Sequence, residues 1–254
     1  EYRDAMLRRI NFFRAMTGLP ANVELNPDWN MKCQYAALMM IAQADLTHNP
    51  PSHWACYTPE GAEAAGHSDL ALGDHGPSSI TLFIEDDGPG NYYVGHRRLF
   101  LYPRQEVMGV GATTATNGGY SGSSAVWLIE GFGDRPAGPE FVAWPPEGYV
   151  PYEIVFKRWS FSYHEANFSQ TEVTMSVAGA ADPNVNVLEE VIGFADNTLV
   201  WEPQYWLPND GPPENDTAVD VYLTNVEIDN TLRDFHYRVI VFDPATRPRK
   251  PDVA

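Results

Sequence analysis

The chain has 254 residues, 44% hydrophobic and 13% aromatic, enough for one large domain or two ordinary ones with a sizeable core. A formal net charge of −18 sets a negative field over most of the surface, which excludes general binding to nucleic acid or to anionic membranes. No apolar run approaches the roughly 18 residues that a spanning helix needs, and the low count of 16 Lys plus Arg suits a protein kept soluble in salty surroundings.

The chain begins at Glu1 without a methionine or an apolar leader, an opening that reads as processed or trimmed. Ala5, Leu7, Ile10, Phe13 and Met16 recur at helical spacing, and Gly18 with Pro20 ends that first helix. Asn26-Pro27-Asp28 opens a second helix, with Asn26 as N-cap and Pro27 in the first turn, running to about Asp45. His48 sits just past its end. A loop with His53, Trp54 and Cys56 follows, and Thr58-Pro59 caps a short helix that ends near His67. Ile80 to Glu85 reads as another short helix.

Asn91 to Tyr102, rich in aromatic and branched residues after the acidic turn Glu85-Asp86-Asp87, reads as a strand entering a core. His96, Arg97 and Arg98 stand at its mouth, where an imidazole beside carboxylates can ligate a metal or carry a proton. On a strand the two arginines point to opposite faces. One is then expected at Asp86 and Asp87, and the other at the anion of a ligand or in solvent. Strands are predicted at Val107 to Thr113 and Ser124 to Ile129, with Gly118-Gly119 and Gly122 marking their hairpin. Residues 134 to 151 are linker-like, although Phe141, Val142 and Trp144 are expected to pack onto something. Beyond them, β-rich runs at 153–161, 171–178, 185–188, 198–201, 218–225 and 235–242 fit an antiparallel sandwich of the immunoglobulin type. The last ten residues read as a frayed tail.

Two cysteines, Cys33 and Cys56, are few but even in number. A disulfide between them suits an exported protein and is worth about 3 kcal/mol; the alternative is two buried free thiols. No Gly-x-Ser-x-Gly elbow, phosphate loop or dinucleotide fingerprint is present. Trp54, Tyr57, Tyr92, Tyr93, Tyr102 and Trp127 line either a groove or a core.

The first half resembles the CAP superfamily (SCP-like, cysteine-rich secretory and pathogenesis-related proteins) in its bacterial branch. The carrying residues are Asn11-Phe12-Phe13-Arg14 with Gly18-Leu19, Leu46-Thr47-His48, Asp69-Leu70-Ala71-Leu72-Gly73, Val94-Gly95-His96-Arg97-Arg98 and Val107-Met108-Gly109-Val110-Gly111. The second half is similar to an immunoglobulin-like domain that follows such domains, on Trp159 to Ser162, Asp196 to Trp201 and Val241 to Pro244. The resemblance implies an α+β chain: an α-β-α sandwich over residues 1–143 and an all-β sandwich over 144–254.

It also implies export, to the cell surface or periplasm, and a cleft in which several relatives hold a divalent metal with two histidines and two glutamates. His48 and His96 match the histidines. Glu85 matches one glutamate, with Asp86 or Asp87 as replacements. The glutamate of the family's Gly-Glu-Asn motif is missing; Ser68-Asp69 stands there, one residue after His67. The open possibilities are Zn or Cu on His48, His67 and His96, two histidines with a carboxylate, or no metal. The expected function is a secreted protein binding a small molecule, glycan or lipid, with Arg97, Arg98 and Asp87 at the ligand. The alternatives are a metal-dependent hydrolase with Glu85 and His96 as catalytic residues, and a purely structural module.

Overall fold

The computed structural model describes residues 2–204 and 211–246, so most of the expected C-terminal tail lies outside the described residues. The chain divides into two contact units. One holds the residues up to Asp86 and Gly95–Pro139; the other holds Asp87–Val94 and the residues from Glu140 on.

The first unit is a three-layer α-β-α arrangement. Helix α1 (Tyr2–Met16) buries Met6, Ile10, Phe13 and Arg14, one stripe at helical spacing. After the two-residue strand β1 (Glu24–Leu25), helix α2 (Pro27–Gln43) starts as its sequence dictates: the Asn26 side chain accepts from the N–H groups of Asp28 and Trp29. Helix α3 (Pro59–His67) starts on Thr58, whose hydroxyl accepts from Gly61 N–H at 2.9 Å. Strand β2 (Ser68–Leu72) follows directly, then helix α4 (Pro77–Glu85), helix α5 (Gly95–Phe100), and strands β3 (Val107–Asn117) and β4 (Tyr120–Trp127). The sheet order is β1-β3-β4-β2. Gly118 and Gly119, with φ of 57° and 86°, make the β3–β4 turn.

Register assigns the two faces. Leu70 pairs with Ala125 and Ser68 with Trp127, and these pack with Cys33, Ala36 and Met40 of α2 and Ala64 and Ala65 of α3. Asp69 pairs with Val126 and Ala71 with Ser124, so these face the other way. On that reverse face the hydroxyl of Ser79, from α4, donates to Ser124 Oγ. Arg9 of α1 donates to Thr81 of α4 at 2.9 Å. The α2 backbone lies so close to the sheet that a Cβ on Gly111 would stand 2.2 Å from the Cys33 carbonyl carbon, and one on Gly109 2.4 Å from Trp29 Cβ. This close approach is what the glycine-marked strand accomplishes.

Strand β1 covers β3 only at Val107 and Met108. Farther along, side chains take the place of a neighbouring strand. Asn30 Oδ1 accepts from Val110 N–H at 2.7 Å, Gln34 Nε2 donates to Ala112 O at 2.8 Å, and the Tyr2 hydroxyl accepts from Ala112 N–H at 3.2 Å.

The second unit contains two four-stranded sheets, ordered β5-β7-β10-β9 and β6-β12-β11-β8. Their strands are β5 (Val142–Trp144), β6 (Gly148–Pro151), β7 (Trp159–Tyr163), β8 (Glu172–Val177), β9 (Asn184–Val187), β10 (Asn197–Gln204), β11 (Thr217–Ile228) and β12 (Thr231–Phe242). Asp229 and Asn230, both at positive φ, close the β11–β12 hairpin in a two-residue turn. Trp144, Trp159, Trp201 and Tyr237 fill the core, and Trp201 Nε1 reaches Met175 Sδ from one sheet to the other. The segment read as a linker supplies β5 and β6, because Val142, Trp144 and Val150 are buried.

Two sequence expectations are corrected. Asn91 to Tyr102 is not a strand: it contributes a single 3-10 turn at Pro89–Asn91 and then α5. Cys33 and Cys56 form no disulfide. Cys33 is buried in α2 with Sγ 3.7 Å from Ser68 Oγ, and Cys56 is exposed in the following loop.

Candidate functional site

A cluster of titratable groups forms where α4 ends and α5 begins. Asp86 is the C-cap of α4, at φ 56°, with its N–H on Leu82 O. From there its carboxylate reaches the start of α5. Oδ2 accepts from His96 N–H at 2.9 Å and Arg97 N–H at 3.3 Å, and Oδ1 accepts from His96 Nδ1–H at 2.6 Å. Arg97 returns the favour: Nε donates to Ile84 O at 2.6 Å and Nη2 to Glu85 O at 2.9 Å, the last carbonyls of α4. Each helix end is thus satisfied by a side chain of opposite sign from the other helix. Arg14 repeats the device at the far end of α5, donating to Phe100 O and Tyr102 O at 2.9 Å each. Its burial pulls its pKa down to about 10.

The His96 ring lies against Phe83, with centroids 5.5 Å apart, and is 27% exposed. On the same side of the sheet, Asp69 is buried and its Oδ2 has no hydrogen-bond partner. Burial raises the Asp69 carboxyl to about 7, the His96 charge opposing this and the Asp86 charge adding to it. For His96, burial acts downward, but the Asp86 hydrogen bond and the charges of Asp69 and Asp86 outweigh it and lift the imidazole to about 9. At neutral pH the ring is therefore a fixed imidazolium. In that state it is a proton donor.

The other expected ligands lie elsewhere. His48 Nδ1–H donates to Ala65 O at 2.9 Å, beside α3. His67 stacks on Trp127 at 4.5 Å, donates from Nδ1 to Glu63 O at 2.9 Å and holds Nε2 3.7 Å from Glu130. Both belong to the α2–α3 face, whereas His96 and Asp86 belong to the α4–α5 face. A metal on His48, His67 and His96 does not fit these residues, and among the described residues no three His, Cys, Asp or Glu side chains gather to hold an ion. The carboxylate at His96 is that of Asp86, not Glu85, whose carbonyl serves Arg97. Arg97 and Arg98 are buried within the unit, and Arg97 is spent on α4. Burial leaves neither of them to solvent, one of the two outcomes expected for the arginine not directed at Asp86 and Asp87. Asp87 is exposed, groups with the second unit, and accepts on its carbonyl from Asn91 Nδ2 at 2.8 Å.

A cavity of about 720 Å3 opens at the start of α4 and the uncovered side of β3. Tyr2, Gln34, His75, Ser78, Thr113 and Thr114 line it. None of these was singled out as a site residue in the sequence. Of the aromatic residues read as lining a groove or a core, Trp54, Trp127 and Tyr57 pack in or on the α2–α3 cluster, in the core. The signal that existed was the pairing of an Asp-His-Gly-Pro helix start with a threonine-rich strand, and neither is distinctive alone.

Residues 7–131 match the family model "CAP: Cysteine-rich secretory protein family". No curated protein matches the chain. Among solved structures, one that matches is PcoC, a methionine-rich copper resistance protein from Escherichia coli; it is 13% identical, over 39% of this chain and 92% of that chain, with a TM-score of 0.29.

Proposed function

With residues 7–131 a CAP domain, we propose that the chain is an exported bacterial binding protein whose CAP domain takes a neutral, hydroxyl-rich ligand such as a glycan. In this reading an immunoglobulin-like second domain presents the CAP domain at a surface or polymer. The observation that carries the proposal is the 720 Å3 cavity, within the usual size of small-molecule sites. Its polar lining consists of three hydroxyl-bearing types, an amide and one imidazole, with no Lys, Arg, Asp or Glu. Tyr2 and Gln34 are engaged along β3, and the Thr113 and Thr114 hydroxyls with the His75 imidazole offer hydrogen bonds and no net charge, the pattern that sugar hydroxyls match. Export is supported by the family and by the acidic, lysine-poor composition; the disulfide no longer supports it. No described helix is long and apolar enough to cross a membrane.

The hydrolase alternative has less support. It needs His48 and His96 on one ion with Glu85 as base, and His48 lies on the α2–α3 side of the sheet whereas His96 lies on the α4–α5 side. Ligand-observed NMR with neutral oligosaccharides, acyl lipids and small charged molecules tests the choice. Saturable binding of oligosaccharides that disappears in Thr114→Trp, with an unchanged melting temperature, is expected. Binding indifferent to that substitution sinks the cavity assignment. Stoichiometric Zn or Cu in tag-free protein, lost in both His48→Ala and His96→Ala, restores the hydrolase reading.

A further inference from the structure

We infer that a second cavity of the CAP domain binds an organic cation, an alkyl-guanidinium or alkyl-ammonium group. The cavity measures about 380 Å3; Pro20, Pro103 and Val107 are among its apolar walls, and Glu24, Gln105 and Glu106 among its polar lining. The two acidic residues come from adjacent strands at one end of the sheet. Glu24 is paired with Val107 in the parallel ladder, and its N–H donates to Glu106 O at 2.9 Å. Both are exposed, and neither carboxylate makes an ion pair among the described residues. The neighbouring Arg104 donates from Nε to Gly133 O at 2.8 Å and makes no ion pair with either carboxylate among the described residues.

Gln105 supplies the second, independent observation. It is 2% exposed, and its amide is oriented by Nε2 donating to Val107 O at 2.8 Å, which leaves Oε1 buried without a donor. A buried amide oxygen in a native core ordinarily has a partner. The cavity therefore presents two carboxylates without an ion pair, on a wall that includes a buried amide whose oxygen lacks a donor, and no lysine or arginine is among its lining residues. Whatever enters must bring positive charge and N–H groups together. A planar guanidinium or an ammonium does so, and its methylene stem suits proline walls. The volume exceeds what a bare ion fills, and the overall charge of −18 draws cations toward the domain.

The test titrates the full chain, at low ionic strength, with agmatine and with Nα-acetyl-arginine amide, followed by amide chemical shifts. Saturable shifts centred on Glu24 and on residues 105 to 107 are expected. They should weaken about tenfold, or roughly 1.4 kcal/mol, in Glu24→Gln/Glu106→Gln at an unchanged melting temperature. Should the double variant fold poorly, Glu106→Gln alone is expected to weaken binding about threefold. Response to agmatine only identifies a free alkylamine as the ligand; response to both identifies the basic side chain of a polypeptide. The inference is overturned by the absence of saturable shifts, by binding indifferent to the carboxylate substitutions, or by calcium chloride saturating the same residues and displacing both probes. None of these outcomes bears on the hydroxyl-lined cavity.

Discussion

Asp69 and His96 carry one proton story between them. A carboxyl raised to about 7 from an ordinary 3.8 keeps a proton in the folded chain that the unfolded chain has released, so folding loses stability as pH rises from about 4 to about 7. An imidazole raised to about 9 from 6.5 contributes stability that is complete below 6.5 and is lost as pH rises through 9. The two effects share a sign, so the melting temperature of the first unit should fall steadily from pH 5 to pH 9. Asp69→Asn should flatten the lower part of that slope; a melting temperature that rises over this range, or a slope unchanged by the substitution, would show that these groups titrate otherwise. The cysteines give a simpler check. Burial lifts the Cys33 thiol to about 11, with Ser68 opposing, while Cys56 is exposed. Under native, non-reducing conditions a maleimide should label one site, Cys56, and label Cys33 only after denaturation.

At the scale of elements, α4 and α5 depend on each other. Arg97→Met leaves Ile84 O and Glu85 O without their guanidinium donor in a buried place, and a cost of about 3 kcal/mol is expected from urea unfolding. Arg97→Lys should recover only part of it, because an ammonium lacks the fork that reaches two carbonyls; equal stability of all three chains would mean that water replaces the guanidinium. This reciprocal capping also explains why α5 was illegible in the sequence. A six-residue helix has too little intrinsic stability to announce itself, its buried positions include Arg97 and Arg98 rather than an apolar stripe, and Tyr92 and Tyr93 before it lend a β-rich look. By contrast, Asn26-Pro27-Asp28 and Thr58-Pro59 wrote their helix starts in local chemistry, and both were legible.

The candidate site was legible in its parts but not in its assembly. His96 and an acidic partner stood close in sequence, and Asp86 was among the partners weighed. Which face of the sheet each histidine would occupy depends on the register of β2, where Ser68 looks toward α2 and Asp69 looks toward α4. One residue of alternation separates those outcomes, and nothing local specifies it. The second unit was read more fully, because alternation such as that of Glu172–Val177 is itself the signal. Its first two strands escaped notice behind prolines and glycines. At the scale of the whole molecule, the side chains of Tyr2, Asn30 and Gln34 along β3 have a further effect. They occupy the donors and acceptors through which one copy would otherwise template the strand of another, so the domain can be concentrated at a surface without zipping into polymers of itself. Asn30→Leu combined with Gln34→Leu should therefore produce concentration-dependent growth in light scattering, where the native chain stays at constant particle size.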